Sequence, residues 1–169
     1  MASDLININT STLGTLEVPI SQGLYKLCNF DLDGQKTSVV LHIFEDFLST
    51  ENINLVQNLI EQIDVMYHKA KKHITLFASS NETIQQYISF HIEELGDELL
   101  SLFNIDSMDQ LTPELFINHL EPRTISVGPH ANYDVDCVFD FSLPEDFTDE
   151  LLVISFDPNL EIYNISHES

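Results

Sequence analysis

The chain has no Trp, five Gly, two Cys and only six Lys plus Arg in 169 residues, and each scarcity removes a class of function. With so few glycines it contains neither a GxxxxGKS/T nor a GxGxxG run, so the backbone cradle that nucleotide-binding loops build around phosphates is missing. Six cations against 28 acids give a net charge of −22, a field that repels nucleic acid and anionic membranes. There is no GxSxG elbow, no HExxH and no EF-hand loop. Cys28 and Cys137 each fall in an apolar strand pattern, with no CxxC and nothing nearby to lower a thiol pKa. They read as buried free thiols, with one disulfide between them as the alternative. No apolar run reaches membrane length, and Met1-Ala2-Ser3-Asp4 opens without the basic and apolar regions of a secretory leader, so the expected location is cytoplasmic.

What the chain has in abundance is carboxylate, unevenly placed. Residues 1–81 carry nine acids and five bases, whereas residues 82–169 carry 19 acids and the single base Arg123. The second half is the anionic pole. A hydrophobic fraction of 43% and a mean hydropathy of −0.01 are those of a folded domain, which separates this acidity from that of a disordered tail. The length suits one domain spanning residues 1–169.

The pattern from Leu5 to about Glu45 is β. Thr12–Val18, Leu24–Leu32 and Thr37–Phe44 read as a meander of three strands, with Leu5–Ile8 as a fourth and Asp33-Gly34 as a hairpin turn. Beyond Asp46 the period lengthens. Leu55, Leu59, Ile63, Met66 and Ala70 predict an amphipathic helix over 54–72, capped by Asn54, with Lys69, Lys71 and Lys72 at its negative C-terminal end. Asn81 caps a second helix, Glu82 to about Phe103, whose stripe is Ile84, Tyr87, Ile88, Ile92, Leu95, Leu99 and Leu102, and Gly96 marks a close approach or a kink in it. Thr112-Pro113 starts a short helix that ends before Pro122. Strands return at Thr124–Val127, Tyr133–Phe141, Glu150–Phe156 and Glu161–Ile165, with Asp157-Pro158-Asn159 as a turn. Strands, helices, then strands predict an α+β fold: an N-terminal β-meander, two long central helices plus a short one, and C-terminal antiparallel strands, the two β regions sharing or closely packing one sheet.

The stretch Tyr133–Phe141 alternates sharply. Tyr133, Val135, Cys137, Phe139 and Phe141 point to one face, expected to be core, and Asp134, Asp136 and Asp140 to the other, expected to be a row of carboxylates. The following loop adds Glu145, Asp146, Asp149 and Glu150 around Phe147. This set, Asp134, Asp136, Asp140, Glu145, Asp146, Phe147, Asp149 and Glu150, is the candidate partner-binding surface, with charges that steer a basic protein and Phe147 as an apolar anchor. A hard divalent cation on the three Asp is a weaker alternative, because loop carbonyls and dense oxygen spacing are missing. His68 and His73 do not share a helical face, and His91 with Glu94 is a lone pair, so no zinc ligand set emerges. No metal, cofactor or catalytic residue is expected.

The run Leu111-Thr112-Pro113-Glu114-Leu115-Phe116, the segment Asp149-Glu150-Leu151-Leu152-Val153-Ile154-Ser155-Phe156-Asp157 and the ending Ile165-Ser166-His167-Glu168-Ser169 resemble a bacterial group known as domain of unknown function family 2004. The resemblance covers the second half of the chain and carries no catalytic residue. It implies a small cytoplasmic protein of the kind found in toxin and immunity gene neighbourhoods. Charge pattern and resemblance together lead to the expectation of an immunity-type protein that binds a basic toxin or effector, such as a nuclease, and neutralises it by occlusion. The alternatives are an adaptor or chaperone-like binding protein with no toxin partner, then a divalent-ion protein or hydrolase.

Overall fold

The computed structural model describes residues 5–20, 23–130 and 132–169, without the side chains of Cys28, Asn29 and Phe47. The readings of Met1–Asp4 and of Cys28 burial lie outside the described residues. The fold is α+β, with eight strands and five α-helices among the described residues. β1 (Leu5–Thr10) and β2 (Gly14–Pro19) pair as a separate antiparallel hairpin. β3 (Leu24–Leu32), β4 (Gln35–His42), β5 (Glu121–His130), β6 (Tyr133–Ser142), β7 (Leu151–Phe156) and β8 (Ile162–Glu168) form one six-stranded sheet in that order. The N-terminal strands are therefore two hairpins rather than one continuous meander: β1 and β2 pack on the helices, while β3 and β4 enter the main sheet.

Local chemistry explains several of these elements. In the β3–β4 turn Asp33 and Gly34 both take positive φ, 51° and 84°, as a two-residue hairpin requires. Asp31 reinforces it by accepting from the Gly34 amide at 2.9 Å and pairing with Lys36 at 2.9 Å. The two β regions do share a sheet, joined by parallel pairing of Ser38–Leu41 with Thr124–Val127. Parallel neighbours need a crossover, and the whole helical segment supplies it.

That segment begins earlier than its apolar stripe suggested. Ser49, not Asn54, caps α1 (Thr50–Glu61) by accepting from the Asn52 amide at 3.1 Å, and the helix breaks at Gln62 before α2 (Ile63–Phe77). The extra turns move the lysines away from a helix end. Lys69 instead pairs with Glu161 at 2.7 Å, and Lys71 donates to the Ile117 and Leu120 carbonyls, where burial lowers its ammonium to about 8.

Asn81 caps α3 (Glu82–Leu95) through the Ile84 amide, and Gly96 at φ 49° ends it before α4 (Glu98–Phe103). Thr112 caps α5 (Pro113–Asn118). Ser11 donates from both amide and hydroxyl to the Glu61 carboxylate, fastening the β1–β2 hairpin to the end of α1.

The helices and the hairpin share one core with one face of the sheet. Val135, Cys137, Phe139 and Phe141 from β6 lie in it with Leu59, Met66, Tyr87 and Phe116. The Cys137 thiol is free, and burial pushes it far above its ordinary pKa. The opposite face of the sheet stands apart. Its central register row runs Lys26, Val40, Ser126, Val138, Ser155, Asn164 across all six strands. Val40 and Val153 are buried on this face, yet neither belongs to the core cluster.

Candidate functional site

The predicted carboxylate row separates into three places. Asp134 lies exposed at the start of β6, beside a depression that also holds Phe44, Asp46, His130 and Tyr133. Glu145, Asp146, Asp149 and Glu150 lie beyond the far end of the same strand, roughly 25 Å away at strand rise. Asp136 and Asp140 fall between, and neither behaves as a solvated anion.

Asp136 is completely buried, which removes it from any partner contact. Its carboxylate accepts from the His130 ring at one oxygen and from the Tyr163 hydroxyl at the other. Alternation placed this side chain on the correct face, but coverage came from two irregularities. A register shift at Gly128/His130 in β5 and another at Ser155/Phe156 opposite β8 bring His130 and Tyr163 back over it. Gly128 lies directly opposite Asp136, and a Cβ there would be 2.5 Å from the His42 carbonyl oxygen. Close approach of β4 and β5 beneath the aspartate thus depends on the missing side chain.

Asp140 is half-buried and makes no hydrogen bond or ion pair within the described residues. Burial, and secondarily the Glu168 charge, raise its carboxyl from 3.8 to about 6. A carboxylate raised in the folded state costs stability above that value, and the cost disappears as pH falls from 6 towards the unfolded value. Asp140→Asn is therefore expected to stabilise the protein at pH 7 by about 1–2 kcal/mol, after discounting for residual solvation. Urea melts at pH 7 and pH 4 check this: the two proteins should converge at the lower pH, and equal stability at both would contradict it. Asp134, Asp136 and Asp140 do not converge on a point. Among the described residues no three His, Cys, Asp or Glu lie close enough to share a metal ion.

The β6–β7 loop forms a coherent surface, because α3 holds it. His91 is fully buried, with its Nδ1 on the Tyr87 carbonyl at 2.7 Å and its Nε2 on the Thr148 hydroxyl at 3.0 Å. Burial lowers its pKa, so the ring is neutral at pH 7. The Tyr87 hydroxyl donates to the Glu150 carbonyl at 3.0 Å. Arg123 braces the same loop: Nε donates to the Ser142 hydroxyl at 2.5 Å, Nη2 to the Thr148 carbonyl at 3.3 Å, and Nη1 pairs with Glu145 at 3.0 Å. The one cation of the second half is spent internally on its acidic loop. Glu150 is likewise engaged, by His167 at 2.6 Å.

Asp146 and Asp149 remain exposed and unpaired within the described residues. Phe147 is partly covered, and with Phe90, Leu95, Glu94 and Asp149 it lines a depression of about 200 Å³. Glu93, Asp97 and Glu98 are exposed nearby along α3 and α4. This combined pole joins the predicted loop residues to acids at the end of α3 that were no part of the predicted surface. His91 was missed as the connector. The apolar stripe assigned its neighbour Ile92 to the core, and Ile92 is instead 38% exposed.

No helix among the described residues is long and apolar enough to cross a membrane. Compared with protein-family models, curated protein sequences and solved structures, the chain matches none.

Proposed function

We propose that this is an immunity-type protein of the cytoplasm, whose acidic pole binds a basic toxin or effector and neutralises it by covering a cationic active or substrate-binding surface. The observation that carries the reading is the braced pole itself. Exposed Glu94 and Asp149 line one depression with Phe90 and Phe147, and Glu93, Asp97 and Asp146 are exposed close by in sequence, on a loop fixed to α3 and β5 by His91, Tyr87 and Arg123. A fixed array of anions costs less ordering on binding than a flexible tail would, and the aromatic floor supplies the apolar contact that exposed charge alone lacks. Glu145 and Glu150 serve the scaffold, the first tied to Arg123 and the second to the His167 ring, while Asp146, Phe147 and Asp149 face the partner. The resemblance of the second half to the immunity-like bacterial group agrees with this assignment.

The test is capture of binding proteins from the native host with the purified chain, followed by assay of each captured protein's own activity. A basic protein whose activity falls at equimolar chain is the expected result. A partner whose activity is unaffected would contradict neutralisation and favour an adaptor or chaperone role.

A further inference from the structure

The end of β6 away from the acidic pole opens on a second concavity. A depression of about 530 Å³ lies where β4 ends and β5 turns into β6, and Phe44, Asp46, His130, Tyr133 and Asp134 line it. That volume falls within the range of small-molecule sites. Two aromatic side chains stay exposed there, Phe44 at 48% and Tyr133 at 36%, and both are held in place. A Cβ at Gly23 would stand 2.7 Å from the Phe44 ring, so the ring is seated directly on that glycine, and the Ile43 amide donates to the Gly23 carbonyl at 3.2 Å. Tyr133 rests edge-on against Tyr163, with ring centroids 4.9 Å apart, and the Tyr163 hydroxyl is itself fixed by the buried Asp136.

The charge beside these rings is uncompensated. Asp46 and Asp134 make no hydrogen bond or ion pair among the described residues, and no Lys or Arg among them lines the depression. His130 has its Nδ1 against the Asp136 carboxylate, so a protonated ring is balanced by that anion and the pair adds no net positive charge.

We propose that this depression binds a guanidinium group, its flat face against the Phe44 and Tyr133 side chains and its N–H edge donating to Asp46 and Asp134. The lining selects the group. Aromatic faces beside carboxylates attract an organic cation and repel anions. A bare metal ion lacks a ligand set here, since no three His, Cys, Asp or Glu among the described residues lie close enough to share one. A quaternary ammonium would use the rings but has no N–H for the two carboxylates, and a primary ammonium is a compact, strongly hydrated charge that does not stack. A guanidinium is planar and weakly hydrated, stacks on aromatic faces, and presents its donors in a fork that matches carboxylates. The same chemistry comes from a free guanidino compound or from an arginine of another protein. The site stands apart from the acidic pole and does not rest on the immunity reading.

NMR titration of the isotope-labelled full chain at pH 7 and about 150 mM salt, with agmatine against cadaverine, tests this. The two probes carry the same charge, so the general attraction of a chain of net charge −22 acts on both alike and the guanidinium alone separates them. Agmatine should bind with a Kd on the order of 1 mM, at least about tenfold tighter than cadaverine, with shifts centred on Phe44, His130 and Tyr133. Phe44→Leu with Tyr133→Leu, both at exposed positions, should abolish that preference, and Asp134→Asn should weaken agmatine by about fivefold. An arginine tripeptide with blocked ends that binds more tightly than agmatine would assign the group to a partner protein, and one that binds more weakly would assign it to a free compound. Equal affinity for the two probes, shifts centred on Phe90 and Phe147 instead, or a preference unchanged in the double variant would overturn the proposal. None of these readouts requires the acidic pole, so failure here leaves the immunity reading standing, and the reverse also holds.

Discussion

Reversing two exposed charges of the pole, Glu94→Lys with Asp149→Lys, is expected to lower affinity for the basic partner by about 10²–10³-fold while leaving the fold intact. Close charge pairs at an interface are coupled by about 1.5–7 kcal/mol, and each 1.4 kcal/mol is a factor of ten. Both side chains are exposed and line the same depression, so the substitutions replace two attractions with two repulsions at one place. Stability should hold or rise slightly, because the pair relieves repulsion within an acidic surface. Binding by titration calorimetry, beside a thermal melt, separates the two effects. Unchanged affinity would mean that the partner binds elsewhere.

Gly128→Ala carries the largest expected cost to folding. The glycine has φ 150°, and an added methyl would stand 2.5 Å from the His42 carbonyl oxygen and 2.8 Å from the His42 Cβ. Backbone cannot yield as a flexible side chain can, so β5 must move away from β4. That pairing is the seam between the β3–β4 hairpin and the C-terminal strands, held also by the Thr37 hydroxyl on the Arg123 carbonyl at 3.0 Å. A loss of about 3 kcal/mol, or roughly 6–12 °C in Tm, is expected. Asp136, opposite the glycine, would lose its fixed relation to His130 as well. A variant that melts within 2 °C or so of the wild type would show that the seam is more compliant than this account allows.

Much of the scaffold was legible because its signals are local. Asn81 and Thr112 act as caps, Asp33-Gly34 turns the hairpin, and β3 spans Leu24–Leu32 as its alternation predicted. α1 was misplaced for a local reason too: Asn54 and Ser49 are both competent caps, and the apolar stripe that arbitrated between them begins only at Leu55. What could not be read depends on distant residues. The parallel seam pairs segments more than 80 residues apart, and no turn chemistry announces it. The Asp136 side chain followed the period-two rule, but that rule assigns a face and says nothing about what covers it. His91 and Thr148, 57 residues apart, meet only once α3 lies along β8, and so the joining of loop acids to helix acids was hidden. Composition identified an anionic half; the fold divides it into a braced pole, a covered aspartate and the half-buried Asp140 beside Glu168 on the outer sheet face.

The most direct measurement is the affinity of the chain for the basic partner captured from its host, followed from about 50 to 500 mM salt. Association steered and held by the acidic pole should weaken by about tenfold or more across that range, chiefly through a slower on-rate. Affinity and on-rate that stay constant over the same range would contradict electrostatic occlusion, whatever the structure of the complex.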